Sequence, residues 1–365
     1  MVLRHHFLSA LLLWAATAAA QEKSFTIEGR MPLPDGYNAA LSCHTDTAFA
    51  TIVAEDWVKD GRFTLKGNID KPYQGTLMTN NLALVERNHW PTDSIRWTYT
   101  EVFVTPDSLQ FGVCPSPSAL LSSPATIPAA SATGEQMFAL TGTQTQADYN
   151  TLQRMGGERG DSLWQFIDRH PASVISTWLA CQLTERAYNL TAGQVAHLEQ
   201  TVKGSPADPA RFALLQKKLA MAKKTVKDAP VTDLELTDTA GRTCHLTDIL
   251  PRNGKYVLID FWASWCGICI HAMPEIAKLA TQYSDRFCVI GISIDTKSDA
   301  WHRAMAKHPE PWPQYCTTRQ GYRDLFDKYQ VGNGVPYYLW VSPQGKVICS
   351  PEGPGEIQQL LEIED

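Results

Sequence analysis

The chain has 365 residues, which at roughly 100–200 residues per domain points to two or three domains. Hydrophobic residues make up 44% and charged residues 19%, enough apolar material for packed cores and too little charge for wholesale disorder. Lys and Arg total 32 against 38 Asp and Glu, and the net charge of −6 excludes a general nucleic-acid binder, which needs a basic face. Nine cysteines are too few for a small disulfide scaffold and cannot all pair within one chain.

Residues 1–20 read as a signal peptide. Arg4, His5 and His6 form a basic start, Phe7 to Ala16 is an apolar run, and Ala18 to Ala20 offer a small-residue cleavage site before Gln21. The run is short of the about 20 apolar residues that a bilayer span requires. Gln21, where a lipid anchor would need Cys, gives no support to lipidation, and no later stretch suits a span. The expected product is exported, periplasmic or otherwise, soluble after cleavage, and placed where disulfides persist.

Residues 21–114 are expected to form a small antiparallel β domain. Phe25 and Ile27 alternate with polar neighbours, as do Tyr37, Ala39, Leu41 and Cys43; Lys59-Asp60-Gly61 is a turn signal, and Ile95 to Val104 is rich in β-branched and aromatic residues. Trp57, Trp90 and Trp97 of this region are expected to pack in its core, a ligand platform being the other reading. Residues 115–160 open with a Pro-, Ser- and Ala-rich stretch free of charge up to Gly134 and are expected to be a linker.

The period changes to that of helices over 161–228. Leu163, Phe166 and Ile167 share a face, as do Val174, Ile175, Trp178, Leu179 and Leu183; Thr191 and Gln194 suit a capping box. Lys217, Lys218, Lys223 and Lys224 read as a solvated helix face. From 229 to 365 strands and helices alternate, as in an α/β sheet. Tyr256 to Trp262 (YVLIDFW) is a buried central strand, followed by a helix from about Cys266 to Tyr283. Phe287 to Ile294 is a second buried strand, Ser298 to His308 a helix, Tyr337 to Val341 and Val347 to Cys349 a closing hairpin, and Gly355 to Leu361 a last helix.

The chemistry lies in Cys266-Gly267-Ile268-Cys269, at the junction of the buried strand and its helix. Cysteines at i and i+3 share one helical face, so their sulfurs can bond. At a helix N-terminus a thiol pKa falls from about 8.5 to about 3.5–7.5, which makes Cys266 the attacking thiolate and leaves Cys269 to resolve the mixed disulfide. A zinc site would need another close Cys/His pair, which neither His271 nor the scattered cysteines supply. A purely structural bridge of this length would constrain little chain. No cofactor is expected beyond this redox-active disulfide.

These residues resemble the thioredoxin-like family. VLIDFWASWCGIC over 257–269 is similar to the thioredoxin strand-to-CxxC segment, Pro274 falls where thioredoxins bend the active-site helix, and Gly334-Val335-Pro336 is similar to the cis-proline loop. Ala229-Pro230, Asp238, Gly241 and Leu246, the strand Val289 to Asp295, Trp301, and Pro343 to Val347 extend the resemblance to exported TlpA-like thiol-disulfide oxidoreductases over about 229–365. The resemblance implies a central mixed sheet flanked by helices, preceded by the β domain and the helical segment. It implies that Pro336 presents the Val335 backbone to an extended substrate, that Asp260 takes the resolving thiol's proton, and that Trp265, Gly267 and Ile268 border the substrate, with Trp262 either beside the site or in the core. The chain departs from the family at Ile268, Ile270, Ala272 and Tyr337, where Pro, Arg, Glu and Thr or Ser are usual.

The implied function is thiol-disulfide exchange with exported proteins, in the reducing direction, recharged by a membrane thiol donor. Two other readings stand beside it: a peroxiredoxin-like peroxidase, though the Pro-x-x-x-Thr-x-x-Cys loop is missing, and an envelope binding protein working through its β domain. The remaining cysteines are 43, 114, 181, 244, 288, 316 and 349. Cys181 and Cys288 are expected to be inert core thiols, and a Cys43–Cys114 bridge stays open.

Overall fold

The computed structural model describes residues 23–30, 33–43, 51–69, 71–105, 108–113, 138–329, 331 and 334–363. The proposed signal peptide and Cys114 lie outside them. The chain divides into two compact units, Met1–Gly157 and Glu158–Asp365.

The first unit holds two four-stranded sheets. Strands β1 (Lys23–Arg30), β4 (Arg62–Ile69), β7 (Ser108–Val113) and β8 (Phe138–Thr141) form one, in the order β4-β1-β7-β8. Strands β2 (Asn38–Cys43), β3 (Thr51–Trp57), β5 (Tyr73–Asn80) and β6 (Trp97–Val104) form the other, in the order β3-β2-β5-β6. Period-two alternation sends Phe25, Ile27 and Leu65 from the first sheet, and Leu41, Leu77, Val102 and Val104 from the second, into one apolar core. The pairing is antiparallel apart from β1 with β7, which run parallel. Alternation marks a strand but not its direction. Between β1 and β7 the chain passes through the second sheet and enters β7 at the end where β1 begins, which makes the pair parallel.

Two expectations change in this unit. Within the stretch read as linker lie β8 and the helix α2 (Gln144–Arg154), which follows the short α1 (Leu82–Arg87). Helix α2 buries Gln146 and Asn150 with Tyr149 and Leu152, so its buried face carries little hydrophobic signal. Gln146 accepts a hydrogen bond from the Phe103 backbone and donates to Asn150 (both 2.7 Å). The second change concerns the tryptophans: Trp57, Trp90 and Trp97 are 52%, 48% and 45% exposed, not core. Trp57 pairs with Asn38, Asn38 with Asn80 and Asn80 with Trp97, so Trp57 and Trp97 end a cross-strand row on the face turned away from the core.

The second unit opens with helices α3 (Asp161–Arg169), α4 (Val174–Glu185), α5 (Ala192–Thr201) and α6 (Pro209–Ala222). The Thr191–Gln194 capping box forms as expected. A seven-stranded mixed sheet follows, ordered β10-β9-β13-β12-β11-β14-β15. Its strands are β9 (Glu235–Asp238), β10 (Thr243–His245), β11 (Tyr256–Trp262), β12 (Phe287–Ser293), β13 (Gln314–Thr317), β14 (Tyr337–Val341) and β15 (Val347–Cys349). Beside them lie α7 (Leu246–Ile249), α8 (Gly267–Gln282), α9 (Ser298–Lys307), α10 (Arg319–Asp324), a π turn over Leu325–Tyr329, and α11 (Pro354–Ile363). This is the thioredoxin-like arrangement: β11, β12 and β13 run parallel while β14 lies antiparallel on the other side of β11. Strand β11 is covered on both faces, which is why it reads as an unbroken apolar run.

The helices and the sheet of this unit are bound together. Asn189 donates to the Ser350 carbonyl (3.1 Å) and accepts from its N–H (2.6 Å), Arg186 donates to the Pro351 carbonyl (3.0 Å), and Tyr188 is part of the sheet's apolar core.

Candidate redox site

Strand order builds the site. Because β11 and β14 are antiparallel neighbours, with Phe261 opposite Tyr337, the chain leaving β11 meets the chain entering β14. The first carries Cys266 and the second Val335-Pro336, joined by a cis peptide bond. The Sγ of Cys266 lies 3.4 Å from the Val335 carbonyl oxygen. This is a contact only, since a disulfide sulfur has no proton to donate.

Cys266 is the N-cap of α8, and the Cys269 N–H donates to its sulfur at 3.2 Å. This N–H is among the donors that a helix start leaves without intrahelical partners. The two cysteines form a disulfide with Cα atoms 5.3 Å apart. Both sulfur residues are buried, Cys269 more deeply at 1% exposure against 6%. Around them Trp265 and Ile268 stand out at 67% and 73% exposure, and a side chain at Gly267 would meet open space. Pro274 lies inside α8 and His271 is exposed.

The loop before Cys266 is clamped from β12. Asp295, just past that strand, accepts from the Ser264 N–H (2.8 Å), the Ser264 hydroxyl (2.7 Å) and the Ser293 hydroxyl (2.7 Å). The residue was visible in the sequence as the end of a buried strand, but nothing there marks its partner. Trp262 turns out to be a core residue, 1% exposed, whose indole N–H donates to Gln314 at 3.0 Å.

Asp260 is buried in the middle of β11 at 1% exposure, and its Oδ1 has no hydrogen-bond partner. Burial, with the charge of Glu310 adding to it, pushes its carboxyl up to about 7. Burial likewise pushes the thiols of Cys43, Cys181, Cys316 and Cys349 up to about 11, so they stay protonated and unreactive near neutrality. Cys288, expected in the core, is only half-buried. Among the described residues no group of three or more His, Cys, Asp or Glu is arranged as a metal site would need.

Comparison with known proteins agrees with this geometry. Residues 227–349, which hold both cysteines and the cis-proline, match the AhpC/TSA family. The chain is 27% identical over 122 residues to the thiol-disulfide oxidoreductase ResA of Bacillus subtilis, covering 33% of this chain and 63% of that protein. It is 36% identical over 55 residues to Thioredoxin 1 of Chlorobaculum tepidum, covering 15% of this chain and 54% of that one. It thus spans less than two thirds of either relative. A solved thioredoxin domain of a thiol-disulfide oxidoreductase from Bacteroides vulgatus is similar at 25% identity and a TM-score of 0.34, over 37% of this chain and 95% of that one. Among the described residues no helix is long and apolar enough to cross a membrane. Residues 227–349, which carry the Cys266–Cys269 disulfide, are thus a thioredoxin-like domain of the AhpC/TSA type.

Proposed function

We propose that the protein exchanges disulfides with exported proteins, as a reductase that a membrane thiol donor recharges. The observation that carries this reading is the pair Cys266–Cys269 at the start of α8, in contact with the carbonyl before a cis-proline. In the reduced protein the Cys266 thiolate attacks one sulfur of a substrate disulfide. A mixed disulfide forms and the first substrate thiolate leaves. The Cys269 thiol gives its proton to Asp260 and attacks Cys266, which releases the second substrate thiolate and closes the Cys266–Cys269 bond. Two electrons pass to the substrate, and a donor dithiol returns them. An Asp260 carboxyl near 7 is part-ionised at neutrality and can take that proton. Val335 offers an extended peptide its backbone, while Trp265, Gly267 and Ile268 form the exposed rim against which the peptide lies. Export rests on the signal-like residues 1–20.

Cys269→Ser tests the reading. The variant should accumulate covalent complexes with exported proteins that reductant dissolves, and Cys266→Ser, Cys269→Ser should form none. Absence of trapped species together with failure to reduce insulin would overturn the reading. Hydroperoxide consumption by the wild-type protein would favour the peroxidase alternative. The exposed Trp57, Trp97 and Tyr99 support a second, separate binding role for the first unit.

A further inference from the structure

Where β12 and β13 end, a pocket of about 540 Å³ is lined by Asp295, Thr296, Thr317, Thr318, Tyr322 and the arginines Arg319 and Arg323. The two arginines are one turn apart on α10, both exposed, and Arg323 folds back so that its Nε donates to the Arg319 carbonyl (3.5 Å). Among the described residues neither forms an ion pair with a carboxylate. The carboxylate in the lining, Asp295, already accepts from Ser264 and Ser293, and the Thr318 hydroxyl proton goes to Glu235 (2.6 Å). Two guanidinium groups therefore face the pocket against one committed carboxylate. Planar forks of this kind match a carboxylate with paired hydrogen bonds.

Position gives the pocket a meaning. Asp295 is bonded to Ser264, two residues before Cys266, and Thr317 ends β13, which lies two strands from β11. At about 4.8 Å per strand spacing, the pocket is about 10 Å from the strand end that leads to the disulfide, or about three residues of extended peptide. It lies on the side of β11 away from the cis-proline, so the chain end that leads to Cys266 stands between Val335 and the pocket.

We propose that the pocket is a specificity subsite that takes a carboxylate side chain of the substrate protein, about three residues from the cysteine that Cys266 attacks. The proposal rests on the reading of Cys266 as the nucleophile toward protein disulfides. Arg319 and Arg323 act in substrate binding and leave the sulfur chemistry to Cys266 and Cys269.

The test uses the reduced full chain and disulfide peptides that differ only in Glu or Gln, placed three residues before or three after the cysteine. Wild-type protein should prefer the Glu peptide in one of these positions by about tenfold in kcat/KM, carried by KM, as charge-assisted hydrogen bonds would give. In Arg319→Gln, Arg323→Gln the two peptides should react alike, and Arg319→Lys, Arg323→Lys should keep part of the preference. Equal rates for Glu and Gln peptides with the wild-type protein, or a preference that survives the glutamine variant, would overturn the proposal. If free succinate slows turnover of both peptides equally in the wild type but not in the glutamine variant, the pocket takes a free carboxylate and the peptide assignment falls. If no peptide disulfide is reduced at all, it is the underlying exchange reading that fails.

Discussion

Asp260 has two measurable consequences that point in opposite directions. Its carboxyl is raised from 3.8 to about 7, so the folded protein holds this proton more tightly than the unfolded chain. Stability should therefore fall as pH climbs from about 4 to about 7, and the full cost above that window is on the order of 4 kcal/mol. Asp260→Asn should raise the urea midpoint at pH 8 and leave it unchanged near pH 4. The same variant should slow release of the mixed disulfide and flatten the rise of that step through pH 7. A midpoint that does not move at pH 8 would show that the group carries no such penalty.

Single residues were unevenly legible. Cys266, Cys269 and Pro336 stand in tight local motifs, and the structure brings them together. Trp262 and Trp265 are three residues apart and look equivalent in the sequence. One is sealed in the core and the other is 67% exposed, because the strand ends between them. Trp57 and Trp97 were misplaced because an aromatic residue on a strand is compatible with either face until the register of its neighbours is known.

At the scale of elements, the site depends on the clamp between the loop after β11 and the residue after β12. Asp295→Ala removes the acceptor of three hydrogen bonds and leaves the Ser264 N–H without its partner. The loss expected is about 1–3 kcal/mol in equilibrium unfolding. Asp295→Asn keeps an acceptor and should lose less; equal losses for the two variants would mean that the hydrogen bonds are not what holds the loop. Strand β11 and helix α8 were plain in the sequence because one is unbroken apolar chain and the other begins at the CxxC pair that follows it. Helix α2 was hidden for the opposite reason. It satisfies strand β6 with buried amides, and polar residues at core positions look like a loop.

For the whole molecule, the helices from Glu158 onward belong with the sheet that follows them. A fragment of residues 158–365 should unfold in one cooperative transition. A fragment of residues 229–365 loses Tyr188 from the core and the bonds of Arg186 and Asn189 to the segment Ser350-Pro351, so its urea midpoint should be lower. Equal midpoints would make the helices an independent appendage. The periodicity change near residue 161 showed where the helices begin, but long-range bonds such as Asn189 with Ser350 leave no local trace in a sequence.

The parallel pairing of β1 with β7 also sets a timetable. β1 is an inner strand whose two neighbours, β4 and β7, come from later in the chain. As the chain emerges from its N-terminal end, β1 can hold β4 early but must wait for the whole second sheet to pass before β7 arrives, a closure with a high entropic cost. Until then the core shared by the two sheets is open. Cys43, 1% exposed in the finished unit, spends that interval within reach of oxidants, so closure of the shared core also ends the thiol's exposure.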